Sequence, residues 1–352
     1  MSMQALAAQR YGTYKDALKL QSVAKCTDTL AATDVLISVS YSDVNPVDLQ
    51  KLSGGPKHGQ KVGSDTEDAV FIPGYGGSGT IVKVGSDVPS NLLEGNRICF
   101  LGDPSRLGQG SYSEFVTVDY RCVAKVPDSI SLQEASIVAL SGCTALESLE
   151  KMQIVSSDQR LLIVGAAGGV GSWAITLARA RHATLDIIAT VSSPESSEWC
   201  LEQGASRTIL HDEIEASLKA QPVDAILCLT EPTGPLFKTL AEVIRPYGRI
   251  CLVVAGQSIQ SMDLGFCFFK SVTILTETVF SSIRTKFQFI QPAEEIDTIL
   301  RLVELRKVRL PISPQLTSLQ TDWKSACEDN GVLSAIASGH ARGKFYLTVS
   351  PE

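Results

Sequence analysis

Histidine is scarce in this chain. His58, His182, His211 and His340 lie far apart and form no H-x-x-x-H pair, which excludes a histidine-based metal site on one helix. The nine cysteines form no C-x-x-C pair and keep no regular spacing. An odd, scattered set of this kind reads as reduced thiols of a cytoplasmic protein, most of them small core hydrophobes. The N-terminal stretch has no continuous apolar run of signal-peptide type, being broken by Arg10, Lys15, Asp16 and Lys19. Excess positive charge is also missing: the formal net charge is −7, which argues against nucleic acid as a partner. No repeat, low-complexity tract or coiled-coil heptad runs through the 352 residues. With 44% hydrophobic and 20% charged residues, what remains is a globular chain with ample core for one large or two modest domains.

One stretch does lack charge altogether: Leu161–Ala178, LLIVGAAGGVGSWAITLA. Four glycines at its centre argue against a membrane span, since each weakens a helix. It reads instead as strand, glycine turn and helix. Leu161–Val164 suits a buried parallel strand, and Trp173–Arg179 has helical spacing. Aligned to G-x-G-x-x-G, the turn is Ala166-Ala167-Gly168-Gly169-Val170-Gly171, with alanine in the first glycine position. Glycine is needed where backbone approaches phosphate and where helix packs on strand, and the free N–H groups of the helix start then hold the anion. Gly168, Gly169, Val170 and Gly171 are therefore the candidate pyrophosphate site. Gly74–Gly79 matches the same pattern letter for letter, but Pro73 precedes it and strand alternation follows it, so its context speaks against a nucleotide turn.

The first third reads as β-rich, with VLISVSYSDV, GTIVKVGSDV, RICF and SYSEFVTVD alternating apolar and polar residues. Residues 51–70 read as a long polar surface loop. Ser131–Glu134 has the form of a capping box, opening a helix through Ala135–Ala139. From there apolar runs at Leu161–Val164, Asp186–Val191, Ala225–Leu229, Arg249–Val254 and Val272–Leu275 alternate with helices. Among these are Ser197–Gln203, ended by Gly204, and Pro235–Ile244. Such alternation implies a parallel sheet covered on both faces. A helix over residues 292–307 and a final KFYLTV strand complete the pattern.

These segments, in this order, resemble the medium-chain dehydrogenase/reductase superfamily, and within it the zinc-independent quinone oxidoreductase and alkenal/enone reductase branch. The residues that carry the likeness are Val44-Asn45-Pro46-Val47-Asp48, Pro73-Gly74-Tyr75, GTIVKVGSDV, Gly95-Asn96-Arg97-Ile98, GSYSEFVTVD, Gly142-Cys143-Thr144-Ala145, GAAGGVGS, TETVF and GKFYLTV. The resemblance implies an α/β protein of two parts. A GroES-like β-rich catalytic domain would span residues 1–130 and 285–352, and a Rossmann doubly wound NADP-binding domain residues 131–284. It also implies homodimers, with TILTETVF as the seam.

Where zinc alcohol dehydrogenases of the superfamily place their catalytic ligands, this chain holds Asn45, Tyr75 and Leu140, with Cys143 three residues beyond the last; the four-cysteine structural lobe is missing too. None of the three offers thiolate, imidazole or carboxylate, so no metal is expected. Without a Lewis acid, alcohol oxidation is disfavoured, whereas a quinone or an α,β-unsaturated carbonyl delocalises its own developing charge. The resemblance thus implies an NADPH-dependent quinone or enone reductase in which Tyr75, Asn45 and Thr144 approach substrate and nicotinamide. Val254 and Ala255, ending a strand, would meet the nicotinamide amide through backbone groups. About 20 residues past the glycine turn, where NAD enzymes carry an acid, stands Val191-Ser192-Ser193. The missing acid favours NADPH, with Ser192, Ser193 and His211 as donors near the adenosine ribose. Gly76 stands where the family often has an acid, and Asp48 reads as a turn residue or part of a proton relay. Two alternatives stay open: a non-catalytic NADPH-binding structural or regulatory protein, and an acyl-chain enoyl reductase.

Overall fold

The computed structural model describes residues 2–24, 30–63, 69–154, 156, 158–289 and 291–350. In chain order its strands are β1 (Ser2–Ala7), β2 (Lys19–Ala24), β3 (Asp34–Val44), β4 (Gly76–Val84), β5 (Arg97–Leu101), β6 (Phe115–Asp119), β7 (Val123–Lys125), β8 (Arg160–Val164), β9 (Asp186–Val191), β10 (Arg207–Leu210), β11 (Val223–Cys228), β12 (Ile244–Leu252), β13 (Thr273–Thr276) and β14 (Phe345–Thr348). The chain divides into two units. Unit 1 comprises Met1–Cys143, Phe280–Arg306 and Ile312–Glu352, and unit 2 comprises Thr144–Val279 and Lys307–Pro311.

Unit 2 is built on a six-stranded sheet in the order β10-β9-β8-β11-β12-β13, every pair parallel. This is the doubly wound order, in which the strand order reverses between β8 and β11 and leaves a crevice at their C-terminal ends. The strands are near-continuous apolar runs because both faces are covered: Leu161–Ile163, Ile187–Ala189 and Ile226–Cys228 are fully buried. Gly204 ends the helix Pro194–Gln203 in the left-handed region, φ +110°, as its position in the sequence requires.

Unit 1 carries the antiparallel sheet β14-β3-β4-β5-β7, with β6 also paired to β3. The eleven-residue β3 is its spine. Here the Gly74–Gly79 pattern finds its physical reason: a Cβ on Gly79 would stand 2.0 Å from Ser38 O, and one on Gly77 2.6 Å from Tyr41 O. Those glycines let β4 lie against the bulged β3, and no helix follows them. β14 brings the C-terminal segment back beside β3, pairing Phe345 with Val44 and Tyr346 with Asp43.

Several expectations shift. The Ser131–Glu134 capping box forms, with Ser131 N–H donating to Glu134 at 2.9 Å, but its helix is the short Leu132–Ser136 and a second begins at Ala139. Because the first of these packs on β3, β4 and β5, the division of the chain falls at Cys143/Thr144 rather than at 130/131. The later boundary lies at Val279/Phe280, and 307–311 returns to unit 2. The predicted 51–70 loop is helical at its start, within Pro46–Ser53, and its residues 64–68 lie outside the described residues. β1 and β2 form a small sheet that the alternation pattern did not disclose. Among the described residues no helix is long and apolar enough to cross a membrane.

Candidate functional site

In unit 2 the polypeptide leaves β8 through Gly165, whose φ of +78° lies in the left-handed region that side chains disfavour. The helix Gly169–Arg181 then starts on Gly168, a cap residue with no side chain to offer. The N–H groups of Gly169, Val170 and Gly171 therefore have neither an intrahelical acceptor nor a capping hydroxyl. Together with the helix dipole they suit a phosphate oxygen. A Cβ on Gly171 would stand 2.4 Å from Ala166 O, so only glycine lets this helix sit so close to the turn. The cradle fits a dinucleotide pyrophosphate.

The other unit 2 candidates lie beyond the C-terminal ends of neighbouring strands. Ser192 is exposed just after β9. Ser193 caps the helix Pro194–Gln203, its Oγ accepting the Ser196 N–H at 3.2 Å. Ser196 Oγ in turn accepts the N–H groups of Ser192 and Ser193. A Ser-Pro-Glu-Ser run is a helix start, and that signal was readable. His211 is exposed after β10, with local desolvation holding its pKa below the ordinary histidine value. Val254 and Ala255 do not end a strand: β12 stops at Leu252, and both residues lie in the open segment after it. Thr144 is buried inside the helix Ala139–Met152, its carbonyl accepting from Ser148 Oγ at 2.7 Å.

Unit 1 gathers the remaining candidates around a buried polar cluster. Asn45 is the N-cap of Pro46–Ser53 and is 2% exposed. Asp48, fully buried, accepts the N–H of Asn45 at 2.8 Å, that of Gly74 at 3.1 Å and the Tyr112 hydroxyl at 3.3 Å. Burial pushes the Asp48 carboxyl up to about 7; the two N–H bonds oppose this and the nearby Asp43 charge adds to it. Tyr75 precedes β4, its ring edge-on to Phe280 at 5.6 Å and its hydroxyl buried without a partner among the described residues. Burial raises the Tyr75 pKa well above that of a free phenol, so the group is a proton-bearing donor at any physiological pH.

The sequence reading missed Asp43 and Lys344. Both are buried, and Lys344 Nζ lies 2.6 Å from Asp43 Oδ1 and 2.6 Å from Asn45 Oδ1. Burial drives the Asp43 pKa up and the Lys344 charge pulls it back. A Cβ on Gly76 would meet Asp43 Oδ2 at 3.4 Å, so the space at position 76 adjoins a carboxylate supplied by β3. The signal was a charged residue continuing the apolar β3 positions Val35, Ile37 and Val39, and a lysine opening the KFYLTV run. Zinc does not fit here. Asn45 is tied to Lys344, the Tyr75 phenol holds its proton, and Leu140 has no ligating atom; among the described residues no three His, Cys, Asp or Glu side chains converge.

Two family models match the chain: "Alcohol dehydrogenase GroES-like domain" over residues 31–128 and "Zinc-binding dehydrogenase" over residues 169–295. A zinc-type alcohol dehydrogenase-like protein of Staphylococcus aureus is 31% identical over 280 residues, covering 77% of this chain and 79% of that one. The chain belongs to the medium-chain dehydrogenase/reductase superfamily. Unit 1 contains its GroES-like domain and unit 2 its nucleotide-binding domain, and the chain is an oxidoreductase of that superfamily. A 2-methylene-furan-3-one reductase of Solanum lycopersicum is 34% identical over 197 residues, or 54% of this chain and 48% of that one. The quinone oxidoreductase of Escherichia coli, solved with NADPH, has the same fold: TM-score 0.78 at 20% identity, covering 98% of this chain and all of that one (100%).

Proposed function

We propose that this medium-chain dehydrogenase/reductase is a metal-independent, NADPH-dependent reductase of quinones or α,β-unsaturated carbonyls. The observation that carries the reading is the buried Tyr75 Oη, a donor without an acceptor among the described residues. Burying an unpaired donor is costly, and one left so calls for an incoming oxygen. A carbonyl whose oxygen gains charge as hydride arrives supplies that oxygen. Gly168, Gly169, Val170 and Gly171 would hold the pyrophosphate of NADPH, which when bound would supply hydride. The strand end at Ser192 carries no carboxylate to repel a 2′-phosphate, and both the tomato enone reductase and the NADPH-bound quinone oxidoreductase are compatible with the same chemistry. Among the described residues no three His, Cys, Asp or Glu side chains converge on which a Lewis acid could rest.

The protein acts on a small molecule, in the cytoplasm, as a homodimer. β13 is the edge strand of the unit 2 sheet, and Phe268 and Phe269 stand 78% and 90% exposed just before it, which supports pairing across a two-fold axis. Steady-state turnover with a panel of quinones and enones, run with NADPH and with NADH before and after chelation, tests the reading. NADPH-dependent turnover insensitive to chelator is the expected result. Tight NADPH binding with no turnover on any acceptor would instead favour a non-catalytic binding protein, and chelator-sensitive turnover would restore a metal.

A further inference from the structure

A dinucleotide held by its pyrophosphate at the turn after β8 spreads its two halves across the crevice where the strand order reverses. In this geometry the adenosine ribose meets the end of the second strand, here β9, which leaves the β11–β12 side for the nicotinamide half. The exit of β11 walls that side. Leu229 N–H donates to Val164 O at 3.0 Å, and a Cβ on Gly165 would meet Thr230 Cγ2 at 3.1 Å, so the chain leaving β11 runs beside the glycine turn. Glu231 follows. Its Oε1 accepts the Ser258 N–H at 3.1 Å and the Ser258 hydroxyl at 2.8 Å, and these bonds hold its carboxyl below the ordinary glutamate value. Ser258 belongs to the single turn Gln257–Ser261 beyond β12.

Between β12 and that turn runs Val253–Gly256, a stretch without regular structure. It is tied at both ends to β11 and its exit: Val253 N–H donates to Cys228 O at 3.2 Å, and Glu231 holds the far end. In between, the N–H groups of Val254 and Ala255 take no backbone acceptor among the described residues. Gly256 shows that the second tie is built into the chain. Its φ of −87° is open to any residue, so the backbone does not require glycine there. A Cβ at that position would stand 2.2 Å from Glu231 Cδ and Oε1, so the missing side chain makes room for the carboxylate.

We propose that Glu231 is a positioning residue: its carboxylate latches the Gln257–Ser261 turn and so holds Val254 and Ala255 in a set conformation toward the nicotinamide half of NADPH. The proposal rests on the reductase reading above for the cofactor, and on the chain's own hydrogen bonds for the latch. A segment ordered before binding does not have to be ordered by the ligand, which strengthens binding at that end alone. Glu231 is exposed, so the latch fixes a surface segment and adds little to the core.

The test uses the full-length protein and the variants Glu231→Ala, Glu231→Gln, Gly256→Ala and Glu231→Ala/Ser258→Ala. Two ligands are titrated: NADPH, and adenosine 2′,5′-bisphosphate, which lacks the nicotinamide half. Glu231→Ala and Gly256→Ala should weaken NADPH binding by about tenfold while the bisphosphate stays within about twofold of the natural protein. Glu231→Gln keeps an oxygen for both Ser258 donors and should restore NADPH binding to within about threefold. The double variant should lose no more than Glu231→Ala, since both changes break one latch. Equal losses for the two ligands would mean general damage and overturn the proposal, as would NADPH binding unmoved by Glu231→Ala. The second readout needs no ligand. Amide hydrogen exchange across residues 253–261 should quicken in Glu231→Ala and Gly256→Ala and keep its natural rate in Glu231→Gln; equal exchange in all four proteins refutes the latch. If the natural protein binds neither ligand, the cofactor reading fails, while this exchange still decides whether Glu231 orders the segment.

Discussion

At the scale of single residues, the most consequential group is Asp48. Its carboxyl titrates at about 7 in the fold because burial disfavours its charge, against 3.8 in an unfolded chain. A raised pKa means that the folded state holds its proton more tightly than the unfolded one. The associated stability is complete below about pH 4 and is lost as pH climbs through about 7. The full span is on the order of 4 kcal/mol. Thermal melts between pH 4.5 and 8 should show the natural protein losing stability relative to Asp48→Asn as pH rises; parallel curves would mean that the carboxylate is stabilised as an anion. Nearby, Asp43 and Gly76 form a complementary pair. The position where the superfamily often carries an acid is a glycine, and a carboxylate from the adjacent strand occupies the neighbouring space.

At the scale of elements, the cap at Ser193 separates two effects that a sequence alone would merge. Aspartate caps a helix as well as serine does, so Ser193→Asp should keep the melting temperature while adding a carboxylate at the strand end. The ratio of NADPH to NADH affinity should then fall by about tenfold or more, by the worth of a charge-assisted bond. Ser193→Ala should do the reverse, costing about 1 kcal/mol of stability and leaving the ratio alone. Fluorescence titrations with both cofactors check this, and a ratio unmoved by the aspartate would remove the strand end from the ribose pocket. The elements of unit 2 were legible because their signals are local. A four-residue apolar run, a glycine turn and a cap specify strand, turn and helix within about 20 residues. The unit 1 cluster was not legible for the opposite reason. Asn45 was singled out through the resemblance and Asp48 as a turn residue or part of a relay, but Lys344 meets Asn45 through the β14–β3 register, and no spacing rule connects residues some 300 apart in sequence. Ser193 was visible as a candidate, but its role as a helix cap was not read, because a serine after a strand suits a ligand and a helix cap equally well.

For the whole molecule, the exposed phenylalanines before β13 make a prediction about assembly. Phe269, 90% exposed, contributes nothing to the core, so Phe269→Glu should fold normally. In a dimer closed through β13 it would place two like charges near the axis and weaken association by about tenfold or more. Sedimentation at micromolar concentration checks both halves; a monomeric natural protein would dismiss the seam.

The distance along the chain between Asp43 and Lys344 also bears on biosynthesis. The carboxylate that must be buried in β3 is made early, and the only cation within reach of it among the described residues belongs to a segment made some 300 residues later. All of unit 2 up to Val279 leaves the ribosome in between, with a sheet whose strands find their partners inside that segment. During synthesis, then, the sheet of the nucleotide-binding unit has all its strands while the other unit holds a charge with no place to go. A half-made chain keeps its β3 polar cluster hydrated, and closes it only when the last strand arrives.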